Sequence, residues 1–304
     1  MLAISTAWNY ESGGDVRQML AEIKETGVDA IELGYRVVHQ DLEKIIPLLG
    51  DLGLTVSSVH NFCPVPHDGP SPRHPSNYYR LSAVDDDERK KAVQWTQQAI
   101  DTAVRTAARV VVIHAGSVEL PEDPSCRLLE MWRQGQGGTE EFAVLREAFL
   151  KSRREHRGPY MDSVIRSLRD VMAYASGRGI LIGLETRYYP TEIPNCDEVG
   201  ELLELFHGQG MGYWHDVGHA EVNGRLGLAP HARYLEKYRD RLIGFHLHGV
   251  KILKDHQAPL EGDFDLLSVS PYLSADKFQV IESHATATPE QMKAAVRTLR
   301  PLCC

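Results

Sequence analysis

HDVGH places Asp216 three residues before His219, and FHLHG places His246 two residues before His248. GLETR carries Glu185 beside Arg187, VIES carries Glu282, and His60 and His114 close two further apolar runs. Carboxylates grouped with imidazoles are a ligand set for a divalent cation, and suit zinc, manganese, cobalt or magnesium without selecting among them. Each residue alone has a plain structural role open to it: a hydrogen-bonded histidine, an ion pair between Glu185 and Arg187, a helix cap at Asp216. Those readings weaken together, because carboxylates buried at one place repel one another unless a cation lies between them. His219, one helical turn after Asp216, has four roles open: second ligand, substrate contact, base, or exposed residue of a helix face. His215 precedes Asp216, should point the opposite way along a strand, and is expected to be structural. Arg187 and Lys251 would either hold an anionic or carbonyl oxygen or serve as counterions for the carboxylates.

These residues sit at the ends of short apolar runs. The runs are 2–6, 30–34, 54–60, 109–116, 180–186, 211–216, 242–248 and 278–283. Runs with little alternation are what strands covered on both faces look like. Helical patterns lie between them, among them 15–27, 87–108, 161–179, 196–208 and 288–300, and several end in Gly just before the next run. Strict alternation of eight strands with helices predicts a parallel sheet closed as a (β/α)₈ TIM barrel, one α/β domain over residues 1–304. No GxGxxG follows the first strand, so an open sheet with a dinucleotide site is not supported. Long connections at 61–85, rich in Pro and Ser, and at 116–160, expected to carry helices of its own, leave the C-terminal ends of strands, where barrels build active sites. They are candidate lids or contacts between copies in a homo-oligomer.

The chain has 304 residues, 42% of them hydrophobic and 25% charged, ordinary proportions for a globular protein. A net charge of -9 argues against nucleic acid or an anionic membrane as the main partner. Five cysteines without a CxxC suggest neither a disulfide framework nor a thiolate zinc site, and Cys303-Cys304 reads as a frayed tail. No apolar run reaches the ~18 residues of a membrane span. The first residues lack a basic leader pattern, so the cytoplasm is the expected compartment.

With these residues placed, the sequence resembles the xylose isomerase-like TIM barrels, the superfamily of sugar phosphate isomerases and epimerases and of endonuclease IV-type enzymes, over nearly its whole length. The resemblance implies a divalent metal held by Glu185, Asp216, His246 and Glu282 from the ends of strands five to eight. It matches Asp216 and His219 to a frequent D-x-x-H pattern. HLHGVKILKDHQAPLEGDFDL looks like the family's H-L-x-D…H-x-x-P-G-x-G-x-x-D segment, with His256 on its histidine and Gly262 on its second glycine. Leu260 replaces the first glycine and Gly249 the usual acid; some members use the second histidine, here His248, as the ligand.

The activity implied is a metal-dependent isomerisation or epimerisation of a ketose, sugar phosphate or polyol through an enediolate. Glu185 and Glu282 would exchange the proton, and His60, His114, Arg187, His219, His248 and His256 would face the substrate. A keto-polyol dehydratase could use the same site. An endonuclease IV-like phosphodiesterase with about three metals is the rival. Eight of its nine ligand types can be laid onto this chain, but Lys254 stands where an Asp two before His256 is required, and the acidic charge is wrong for a DNA binder.

Overall fold

The computed structural model describes residues 1–70 and 73–303. Eight parallel strands close a barrel. They are β1 (Leu2–Ser5), β2 (Ala30–Leu33), β3 (Thr55–His60), β4 (Val110–Ile113), β5 (Leu181–Glu185), β6 (Met211–Asp216), β7 (Leu242–Leu247) and β8 (Phe278–Ile281). Each pairs with its neighbours in sequence, and β8 returns to β1 with Leu2 beside Gln279. All eight predicted runs are strands; β4 is shorter than its run, ending before His114. Gly116–Ser117 instead pairs antiparallel with Glu192–Ile193.

Side-chain alternation explains what fills the bore and what rims it. Ala3, Ala30, Val110, Val112, Trp214 and Val280 form one buried apolar cluster. The bulk of Trp214 is accommodated by Gly183 and Gly244, where an added Cβ would lie 3.0 and 2.3 Å from its ring. Two residues further along each strand the same inward face reaches the C-terminal rim. Those positions are Glu32, His114, Glu185, Asp216, His246 and Glu282, so the chemistry stands directly on the apolar plug.

Helices wrap the outside because their apolar residues recur at helical spacing. Val16, Met19, Leu20 and Ile23 are the buried stripe of helix Val16–Glu25, whose first turn is capped by the Asp15 carboxylate. The helix predicted from 161 begins earlier, at Gly158, with Pro159 in its first turn. The 116–160 connection carries helices Ser125–Arg133 and Glu140–His156, which pack on Val222, Leu226 and Leu253 in an apolar cluster of their own. Buried Arg153 fixes that insertion to helix Cys196–Leu205: it donates to both carboxylate oxygens of buried Glu198, at 2.7 and 2.8 Å, and to the carbonyl of Glu192.

The C-terminus corrects one expectation. Cys303 is not frayed but buried in the main core, because helix Pro289–Leu299 and the turn after it pack back onto the barrel. Cys304, and Ser71 and Pro72 of the 61–85 connection, lie outside the described residues. No described helix is long and apolar enough to cross a membrane.

Candidate metal centre

Glu185, Asp216, His246 and Glu282 offer ligand atoms that all lie within 4.8 Å of one another, and all four are buried. His246 is the hub. Its Nδ1 is 3.0 Å from Glu185 Oε1, 3.0 Å from Glu282 Oε2 and 3.7 Å from Asp216 Oδ2. His248 stands apart from that hub, with Nε2 3.1 Å from Asp216 Oδ1 and Nδ1 accepting the backbone N–H of His256. The structure thus brings the first histidine of H-L-H, not the second, to the point where three carboxylates converge.

The sequence reading missed the group behind that hub. His246 Nε2 donates to Glu32 Oε2 at 3.2 Å, and Ser58 Oγ donates to the same oxygen at 2.7 Å. A carboxylate on the far nitrogen fixes tautomer and ring orientation so that Nδ1 presents its lone pair to a metal. Three carboxylates around one imidazole nitrogen, with a fourth behind it, fit a divalent cation, and the oxygen-rich set with one nitrogen does not choose among manganese, magnesium, cobalt and zinc.

The remaining predicted residues form a ring around this group. His114 Nε2 donates to Glu185 Oε2 at 2.7 Å, Arg187 reaches the same oxygen at 3.0 Å, and His60 Nε2 stands 3.6 Å from it. Arg187 also binds Glu192 at 2.8 Å, so its guanidinium is shared between two buried acids. His219 is buried rather than exposed on its helix. Its Nδ1–H donates to the Thr186 carbonyl at 2.8 Å and its Nε2 faces Asp255 at 3.3 Å. His256 donates from Nδ1 to the Glu282 carbonyl at 2.8 Å and turns Nε2 toward Asp255 at 3.6 Å. Asp255, also unforeseen, therefore joins His219 to His256, and His284 stacks on His256 at 4.2 Å. His215 points outward as expected, into a chain from Tyr213 to His231 and Glu221.

Electrostatics separate the two glutamates. Burial alone would push Glu185 up, but His114, His246 and His60 hold it well below the usual carboxylate range. Burial prevails at Glu282 and lifts it to about 7 against the pull of His246 and His60, with Glu32 and Glu185 adding like-charge repulsion. Burial opposes charging His246, yet Glu282, Glu32 and Glu185 raise it well above the ordinary histidine value. Asp216 is also buried, but His219 and His248 keep it well below its usual value.

The centre opens into a cavity of about 740 Å³. Tyr35, Tyr188, Tyr189, His74, Asn77 and Arg133 line its walls, so both long connections contribute to it, as expected for the C-terminal face. The sequence matches the model of the xylose isomerase-like TIM barrel family over residues 20–302. The chain belongs to that family. Solved structures of the same fold include D-psicose 3-epimerase from Clostridium cellulolyticum H10, at 14% identity and TM-score 0.66, covering 99% of each chain. Another is 3-keto-D-glucoside 4-epimerase from E. coli, at 14% identity and TM-score 0.64, covering 99% of this chain and 98% of that one. A third is a xylose isomerase domain protein from Planctomyces limnophilus, at 14% identity and TM-score 0.61, covering 99% and 95%. A comparison with curated proteins returns no match.

The role of Glu32 has a direct test. Glu32→Gln keeps an acceptor for His246 but removes the charge behind it. The expected result is a roughly 10- to 100-fold loss of Mn²⁺ affinity by calorimetric titration, with Glu185, Asp216, His246 and Glu282 all in place. Unchanged affinity would mean that Glu32 is only a buried structural acid.

Proposed function

We propose that this protein is a divalent-metal-dependent isomerase or epimerase acting on a ketose or related polyol. The observation that carries the reading is the convergence of Glu185 and Glu282 on His246 Nδ1, with opposite displacements of their acidities. A cation held by Glu185, Asp216, His246 and Glu282 would supply electrophilic stabilisation of the oxyanion that develops beside the reacting carbon. Glu282, poised near neutrality, is the better base and takes the proton from the carbon next to the carbonyl; the electron pair left behind forms the enediolate double bond. Glu185, kept ionised by His114 and Arg187, is the second carboxylate: a proton it takes up from solvent in the enediolate state is passed to the carbon from the opposite side, and the proton held by Glu282 is released to solvent, which completes inversion. Microscopic reversibility exchanges the two roles in the reverse direction. His219, fixed by Thr186 and Asp255, positions a substrate hydroxyl, and Arg187 keeps Glu185 and Glu192 in place. The same enediolate could instead expel a neighbouring hydroxyl, so a dehydratase is distinguished by its product.

The test is solvent exchange. In D₂O with Mn²⁺ or Co²⁺, a ketose substrate is expected to take up deuterium at the carbon next to its carbonyl, and a chelator is expected to abolish the uptake until metal is restored. Uptake that persists after complete metal removal sinks the metal-dependent reading.

One observation favours a second reading. The acid missing from the position two before His256 is supplied by its neighbour, since Asp255 faces both His219 and His256. That trio beside the main centre is what a phosphodiesterase with about three metals would need. Elemental analysis decides: about one ion per chain supports the isomerase, about three with cleavage of abasic DNA the phosphodiesterase.

A further inference from the structure

After β7 the chain makes a two-stranded hairpin, Gly249–Lys251 with Lys254–Gln257, whose tip borders the cavity mouth. Lys251 and Lys254 are directly opposite each other across it. Like charges in that position are destabilising. Neither lysine is relieved by an ion pair with a described carboxylate, whereas the cavity's own acids are engaged: Glu185 and Asp255 face histidines, and Glu282 faces His246. Arg133 lines the same cavity, and among the described residues its one ion pair is with Glu130 at 3.9 Å, on its own helix. A cluster of cations at the mouth of a chain with net charge -9 is a local inversion of the protein's field.

The tip is also held fixed. Ile252 has φ 59°, a left-handed conformation that is an outlier for a β-branched residue. Its N–H donates to Asp263 at 2.8 Å, its carbonyl accepts from Arg225, and the carbonyl of Leu253 accepts from Tyr188 at 2.6 Å. At the base, a Cβ on Gly249 would lie 2.3 Å from the Glu261 carbonyl oxygen, and one on Gly262 1.9 Å from that of Val250. That close approach leaves no room for a side chain at Gly249. Strain maintained by so many anchors is typical of ligand clamps.

We propose that the hairpin tip is an anion clamp, in which Lys251 and Lys254, with Arg133, receive a negatively charged group at the end of the substrate away from the metal centre. The substrate is then a sugar phosphate or a sugar acid rather than a neutral ketose. The sugar part of this assignment rests on the isomerase reading; the anion site does not. Lysines act as point charges that accept phosphate or carboxylate alike.

The probes are inorganic phosphate, ribose 5-phosphate and ribonate, titrated calorimetrically at constant ionic strength into chelator-treated wild type and the Lys251→Gln/Lys254→Gln double variant. Saturable binding by wild type, weakened about tenfold or more in the double variant, is expected. Tighter binding of ribose 5-phosphate assigns a phosphate ester, and tighter binding of ribonate assigns a carboxylate. The melting temperature of the double variant should equal or exceed that of wild type, since its repulsion is relieved, and this separates loss of binding from loss of fold. No saturable binding by wild type, or equal binding by both proteins, overturns the clamp. Deuterium uptake by a ketose phosphate such as ribulose 5-phosphate, in metal-loaded wild type, tests the isomerase reading separately, since anion binding is read without metal or turnover.

Discussion

Glu282→Gln is expected to leave the barrel folded and to lower deuterium uptake and turnover by about 10²- to 10⁴-fold, the range supplied by a positioned general base. Gln matches Glu in shape and retains an oxygen toward His246, but cannot take a proton from carbon. Burial places the Glu282 carboxyl near 7 before any cation adds its own field, closest of the site's acids to the operating range. Glu185→Gln should fail differently. Either glutamate would help hold the cation, but only Glu185 also carries His114 and Arg187, so neutralising it releases both of those groups as well and leaves Arg187 paired with Glu192. Bound metal and turnover should fall together there. Metal analysis beside exchange rates on both variants checks the distinction. A Glu282→Gln protein that exchanges protons at the wild-type rate would remove Glu282 from the chemistry.

Glu198→Ala is expected to cost about 3–5 kcal/mol of folding stability in urea denaturation, although it lies away from the metal centre. It strands Arg153, a buried cation whose two bonds to Glu198 attach the 116–160 insertion to the barrel. The double replacement Arg153→Met/Glu198→Leu should recover most of that loss, because removing both charges removes the desolvation cost as well. The pair also sets an acid limit. Burial pushes the Glu198 carboxyl up, but Arg153, the Asn195 N–H and Arg157 bring it below its ordinary 4.5. A depressed carboxyl contributes fully above its unfolded value and loses that contribution as pH falls through its folded value. Wild type should therefore lose stability below about pH 4.5, and Glu198→Ala should lose less over that interval. Parallel acid profiles for the two proteins would contradict this.

The barrel was legible because its strands are short apolar runs and a strand's period of two decides which residues face inward. That parity alone puts Asp216 inward and His215 outward. Glu32 obeys the same parity but escaped notice: its partner His246 is 214 residues away, and nothing local in AIELG distinguishes a site acid from a rim acid. Asp255 was hidden for another reason. Neighbouring residues on a regular strand point apart. The left-handed backbone of His256, φ 49°, breaks that alternation, so Asp255 and His256 can face the same imidazole. His74, Asn77, Tyr35 and Tyr188 reach the cavity from connections, where no period reveals direction.

The apolar plug beneath the centre has a consequence for traffic. Trp214, seated between Gly183 and Gly244 and fully buried, blocks the bore from below. The barrel is therefore a well with one doorway, and whatever enters past the hairpin must leave past it. In a reversible exchange between isomers, product and substrate queue at the same entrance, and each is the natural competitive inhibitor of the other's passage.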